Sequence, residues 1–102
     1  MRREQIEEQI LELVAVVDDK IARVTEIVWA RSLPDSYAIS LAFPSGPWIV
    51  ISEAHWDESP DDRADTVAHE VAHIAVPDYS HGSRWRSRYR RLRRIAHEMD
   101  WS

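Results

Sequence analysis

Residues 59–85 read "SPDDRADTVAHEVAHIAVPDYSHGSRW". Ser59 can cap a helix, Pro60 suits its first position, and Asp62 completes a capping-box-like pair. The helix so begun runs to about Val76 and stops before Pro77, which cannot continue it. It carries His69 and His73 four residues apart, so both project from one face about a turn apart. Val67, Val71 and Ile74 fall on the opposite side. One stripe can therefore pack on a sheet while the other faces a cleft.

That spacing predicts chemistry as well as structure. His69 and His73 can give two imidazole nitrogens to one metal ion. Glu70 is rotated by about 100° from His69, off the direct ligand direction but within reach of a metal-bound water, which is the mechanical content of H-E-x-x-H. Zinc lowers the pKa of its bound water to about 7, and a nearby carboxylate takes the proton as the water attacks a carbonyl. Such a site needs a third protein ligand and one open position. His81 is the expected third: Pro77 ends the helix and Gly82 permits a tight reversal, so the loop can fold His81 back. Asp78 and Glu98 are the alternatives. The chain contains no cysteine, so any metal must use His, Asp or Glu, and disulfides are excluded.

Working outward, "REQIEEQILELVAVVDDKIARV" reads as a helix, with Ile6, Ile10, Leu13, Val14 and Val17 at spacings of three and four. Asp18-Asp19 either ends it or lies on its wet face. Three runs rich in β-branched and aromatic residues follow at 24–32, 36–43 and 48–54. Tyr37, Ile39, Leu41 and Phe43 alternate with small residues, as on a half-buried strand. "LPD" and "PSGP" separate the runs, and short connections favour an antiparallel meander. A last helix starts near Ser83, with Trp85, Tyr89, Leu92, Ala96 and Met99 as its apolar stripe. The expected fold is α+β in one domain, residues 1–102: an N-terminal helix, a three-stranded mostly antiparallel sheet, the H-E-x-x-H helix and a C-terminal helix.

"HEVAH…HGSRW" resembles the metal-binding core of SprT-like and related YgjP-like zinc metallopeptidases, over about 20 residues. The resemblance implies a minimal zincin, with zinc on His69, His73 and His81 and Glu70 as general base. Gly82 and Trp85 match the structural tail of the motif. It also implies that the strand before the active-site helix, around residues 48–54, lies along the cleft and pairs with an extended protein or peptide substrate. SprT-like proteins often add a cysteine zinc ribbon, which a chain without cysteine cannot form.

Charge is unevenly placed in this chain of 102 residues and net charge −5. Residues 1–83 hold 6 basic and 16 acidic side chains, whereas residues 84–102 hold 7 arginines, Glu98 and Asp100. The Arg-rich helix at 84–94 supports an alternative reading: a non-catalytic zinc-containing module that binds nucleic acid or an acidic partner. Asp62 and Asp65 share the histidine face and are placed to accept a ligand's second N–H. Tyr79 is placed to stabilise an oxyanion, His55 and Trp56 to wall the cleft or serve as plain loop. His97 reads as a surface or packing residue. No apolar run approaches the roughly 20 residues of a membrane span. Met-Arg-Arg followed by acidic residues is no secretion signal, so a cytoplasmic location is expected. Oligomeric state is left open.

Overall fold

The computed structural model describes the chain apart from residues 1, 35, 57, 58 and 78–80 and the side chain of residue 55. The elements are α1 (Arg3–Val17), α2 (Asp19–Arg23), β1 (Glu26–Ala30), β2 (Ala38–Phe43), β3 (Gly46–Ser52), a 3-10 turn (Glu53–His55), α3 (Pro60–Ala75) and α4 (Ser83–His97). The α+β layout is the one expected from the sequence.

Helix α1 buries Ile6, Ile10, Leu13 and Val14, one face of a 3.6-residue period. The predicted single helix is broken at the aspartate pair. Asp18 leaves helical space (φ −162°, ψ 118°), and its carboxylate accepts the N–H of Lys20 at 2.8 Å, capping α2. A short polar side chain that bonds the backbone locally competes with helix continuation.

The sheet order is β1-β3-β2, with β1 parallel and β2 antiparallel to β3. The sheet is thus mixed, and the meander is corrected at one pair. The strand around residues 48–54 is central, so it cannot be the open edge at the cleft. Its run Ile49-Val50-Ile51 is apolar on both faces and buried, the pattern of an interior strand. Strand β2 takes the edge instead.

The ladder shows what β2 offers there. Ser52 N–H donates to the Tyr37 carbonyl at 2.9 Å. With Ala38 opposite Ile51 in the register, the odd residues of β2 are those bonded to β3. Ala38, Ser40 and Ala42 therefore turn their N–H and C=O groups toward the edge. Pro47 sits opposite Ala42, where β3 needs no N–H toward β2. The side chains of β2 differ from expectation. Leu41 and Phe43, and Tyr37 just before the strand, are exposed, whereas Ala38 is buried. Ser40 shares Ala38's face and bonds Glu70 of α3. The face of small residues turns to α3 because a helix buried through Ala64, Ala68 and Ala72 comes close to the sheet.

Helix α3 packs on α4, β2 and α1. Arg63 secures the chain end, donating to the carbonyls of Trp56 (2.8 Å) and Trp101 (2.7 Å).

Gly46 holds α2 against the β2–β3 turn. Its φ is +137°, and an added Cβ would lie 2.2 Å from the Val24 carbonyl oxygen. Both features exclude other residues. Gly46→Ala should lower the unfolding free energy by about 2–4 kcal/mol, with the neighbouring Ser45→Ala staying within about 0.5 kcal/mol of wild type. Urea denaturation checks this; equal midpoints for all three proteins would contradict it.

Candidate metal centre

Helix α3 starts as its sequence dictates: Ser59 Oγ accepts the N–H of Asp62 at 3.2 Å, and Pro60 is the first helical residue. One turn separates His69 from His73, and their Nε2 atoms lie 3.1 Å apart. His81 completes the group, its Nε2 being 3.0 Å from that of His73. The backbone of His81 is left-handed, with φ +55°. Non-glycine residues enter this region at some cost, and histidine is among those enriched there. The donor atoms of the three lie within 4.8 Å of one another. Zinc–nitrogen bonds of 2.0–2.1 Å place tetrahedral ligands about 3.3 Å apart, so the three imidazoles are close enough to hold one ion. Glu98 is the exposed C-cap of α4 and stands outside this group. Asp78 and Tyr79 lie outside the described residues.

Trp85 of α4 forms the floor. Its ring centroid is 4.9 Å from that of His69, 5.2 Å from His73 and 4.3 Å from His81. Tyr89 stacks on Trp85 at 5.0 Å and stands 5.9 Å from His69. Burial, then the proximity of His73 and His81, pushes the His69 pKa down to about 4. Burial and His81 lower that of His73. Both rings are therefore neutral at pH 7, with lone pairs available.

Glu70 is only 8% exposed. Burial pushes its pKa up to about 7, against the opposing effect of bonds from the Ser40 hydroxyl and the Ser40 backbone N–H. Glu70 and His69 line one cavity of about 340 Å³ with Tyr37, Asp65, Thr66 and Tyr89. At the other end of β2 a second pocket of about 300 Å³ adjoins His73. The two pockets thus lie toward opposite ends of β2, His69 and Glu70 lining the first and His73 the second.

Several expected roles change. Asp65 accepts from Arg93 Nε and is bonded to His97 Nε2, each at 2.6 Å, so it ties α3 to α4 and does not orient a metal ligand. Burial works against its ionisation, but those two partners hold its carboxyl below the usual range. Asp62 is exposed and contributes its backbone N–H to the cap. Trp56 packs on Trp29 (5.7 Å) and under the Arg63 guanidinium (5.2 Å), and lines neither pocket. The side chain of His55 is outside the described set. Ser40 was not legible as a site residue, since a small polar residue inside an alternating strand looks like filler. Tyr89 read as core and turns out to wall the cleft.

On α4, Arg93 has a carboxylate partner, while Arg84, Arg86, Arg88, Arg90, Arg91 and Arg94 form no ion pair among the described residues. Among the described residues, no helix is long and apolar enough to cross a membrane. No protein-family model, curated protein or solved structure matches the chain.

Two outcomes follow from this geometry. Asparagine tolerates the left-handed region, so His81→Asn keeps the loop while removing one nitrogen. Its metal affinity should fall at least about 100-fold, as for His73→Ala, with Glu98→Ala unchanged in competition with a chromophoric chelator. Retained affinity in His81→Asn would show that the third imidazole is not a ligand. The second outcome concerns Glu70 in metal-free protein. The folded chain binds this proton more tightly than the unfolded chain, whose pKa is near 4.5. Burial of the carboxylate therefore costs stability above about pH 7, and the cost fades as pH falls from 7 toward 4.5. Metal-free Glu70→Gln should exceed wild type in stability by about 1–3 kcal/mol near pH 8.5, the gap closing by about pH 5. A gap independent of pH would refute the elevated pKa.

Proposed function

We propose that this chain is a zinc-dependent metallopeptidase. The observation that carries the reading is a buried carboxyl, Glu70, sharing one cavity with His69 beside three convergent imidazoles. A purely structural site has no use for a carboxyl there. His69, His73 and His81 would hold the metal, and the all-imidazole set suits zinc. Bound zinc supplies Lewis acidity and acidifies water to near neutrality.

The chain's own groups do the rest. Glu70 accepts the proton of the attacking water and returns it to the leaving amine. Ser40, holding Glu70 through both its hydroxyl and its N–H, fixes where that carboxyl points. The outward N–H and C=O groups of Ala38 and Ala42 pair with an extended substrate. This assigns β2, not the central β3, as the peptide-binding strand.

A second reading draws on the guanidiniums of α4 that form no ion pair among the described residues. Arginine binds phosphate bidentately, and this surface would hold nucleic acid or an acidic partner through charge alone, because Trp85 and Tyr89 face the histidines.

Glu70→Gln keeps size and shape. Zinc content should be retained while cleavage of an unfolded protein falls by about 10²–10⁴-fold, scored by mass spectrometry. A zinc-loaded wild type that cleaves no unfolded substrate, yet binds a duplex with a steep salt dependence, would overturn the peptidase reading in favour of the second.

A further inference from the structure

We infer that the pocket adjoining His73 is a specificity subsite: it takes one large aliphatic or aromatic side chain, from one of the three residues that precede the reacting bond of an extended peptide. The inference rests on the peptidase reading for its orientation, and on separate observations for its ligand.

The first observation is composition. Ile21, Val24, Leu41, Phe43, Ile74 and Pro77 dominate the lining, and among the described residues no carboxylate, lysine or arginine contributes to it. The cavity at the opposite end of β2 includes Asp65, Thr66, Tyr37 and Tyr89. The two ends of the cleft therefore differ in polarity, which a non-discriminating groove would not need.

The second observation is where exposed apolar surface sits. Five large apolar side chains are exposed among the described residues: Val16, Val24, Tyr37, Leu41 and Phe43. Val24, Leu41 and Phe43 line this pocket, and Tyr37 lines the other. Apolar side chains left in water gain nothing for folding, and their concentration at one groove marks a binding surface. A ligand side chain entering there removes apolar area on both partners.

The third observation is register. Ser40 bonds Glu70 and also lines the pocket. Leu41, Ala42 and Phe43 follow it, each advancing about 3.3 Å. Antiparallel pairing is the more stable ladder, and a peptide so paired runs opposite to β2. Its residues opposite Leu41–Phe43 then come before the bond held at Glu70. The wall is preformed, because Gly46 locks the end of α2 against the β2–β3 turn and Pro47 and Pro77 stiffen the rim.

Two arms test the subsite, one without catalysis. Zinc-loaded Glu70→Gln protein is titrated with ten-residue peptides of Gly, Ala, Ser and Asn carrying a single Leu or Phe, or Ala in its place. The Leu and Phe peptides should bind about 10–100-fold more tightly than the Ala peptide. Adding Leu41→Gln should abolish most of that difference, with zinc content and melting temperature retained because Leu41 is a half-exposed edge residue. In the second arm wild type is given a peptide library, and cut sites are mapped by mass spectrometry. Cuts should fall within three residues after a Leu, Ile, Met or Phe. Apolar-selective binding without any cleavage would sink the peptidase reading and leave the pocket's ligand assignment standing. Cleavage without apolar preference, or with the large residue only after the cut, would overturn the subsite while sparing the peptidase. Absence of peptide binding, or a self-associated dimer that Leu41→Gln dissociates, would overturn it as well.

Discussion

Trp85 is the residue on which the arrangement turns. Its indole lies within 4.3–5.2 Å of all three imidazole centroids. Two of those imidazoles come from α3 and one from the loop before α4, so the floor is supplied by the helix that the metal loop leads into. The Asp65–Arg93 bond at 2.6 Å fastens the same two helices on the cleft side. The indole N–H is buried without a partner among the described residues. Leaving such a donor unmet costs about 1–3 kcal/mol, which the packing of a large aromatic against four rings offsets. The left-handed His81 is held in the same way, by ring contacts with Trp85 and His73.

A second constraint joins the helix to the sheet. Glu70 is buried and satisfied by two donors of one β2 residue, Ser40. The interaction lies along the edge strand, on the face through which Ser40 and its small neighbours meet α3. The larger residues of β2 are thereby turned outward, where they furnish the apolar end of the cleft. Packing, the surroundings of Glu70 and pocket lining are thus three results of one strand orientation.

The local elements of the fold were legible in the sequence because they depend on local chemistry. Ser59 and Pro60 mark the start of α3, Pro77 its stop, and the stripe Trp85–Leu92–Ala96 the buried face of α4. The trio His69, His73 and His81 was legible because a helical turn and one loop reversal are enough to join them. What failed was non-local. Strand order depends on which run is apolar on both faces, and the β-branched run of β3 outweighs the short connections that suggested a meander. The facing of β2 depends on how closely α3 approaches, which alternation alone does not encode. Asp65 was read from its helix face, while its partners, Arg93 and His97, lie 28 and 32 residues away.

The central claim is that three imidazoles converge on one ion with a position left open. X-ray absorption at the zinc edge of the metal-loaded chain measures this directly. The account predicts about three imidazole nitrogens and one further light atom at about 2.0–2.1 Å. A first shell with two or fewer imidazoles, or one closed by four protein ligands, would contradict it.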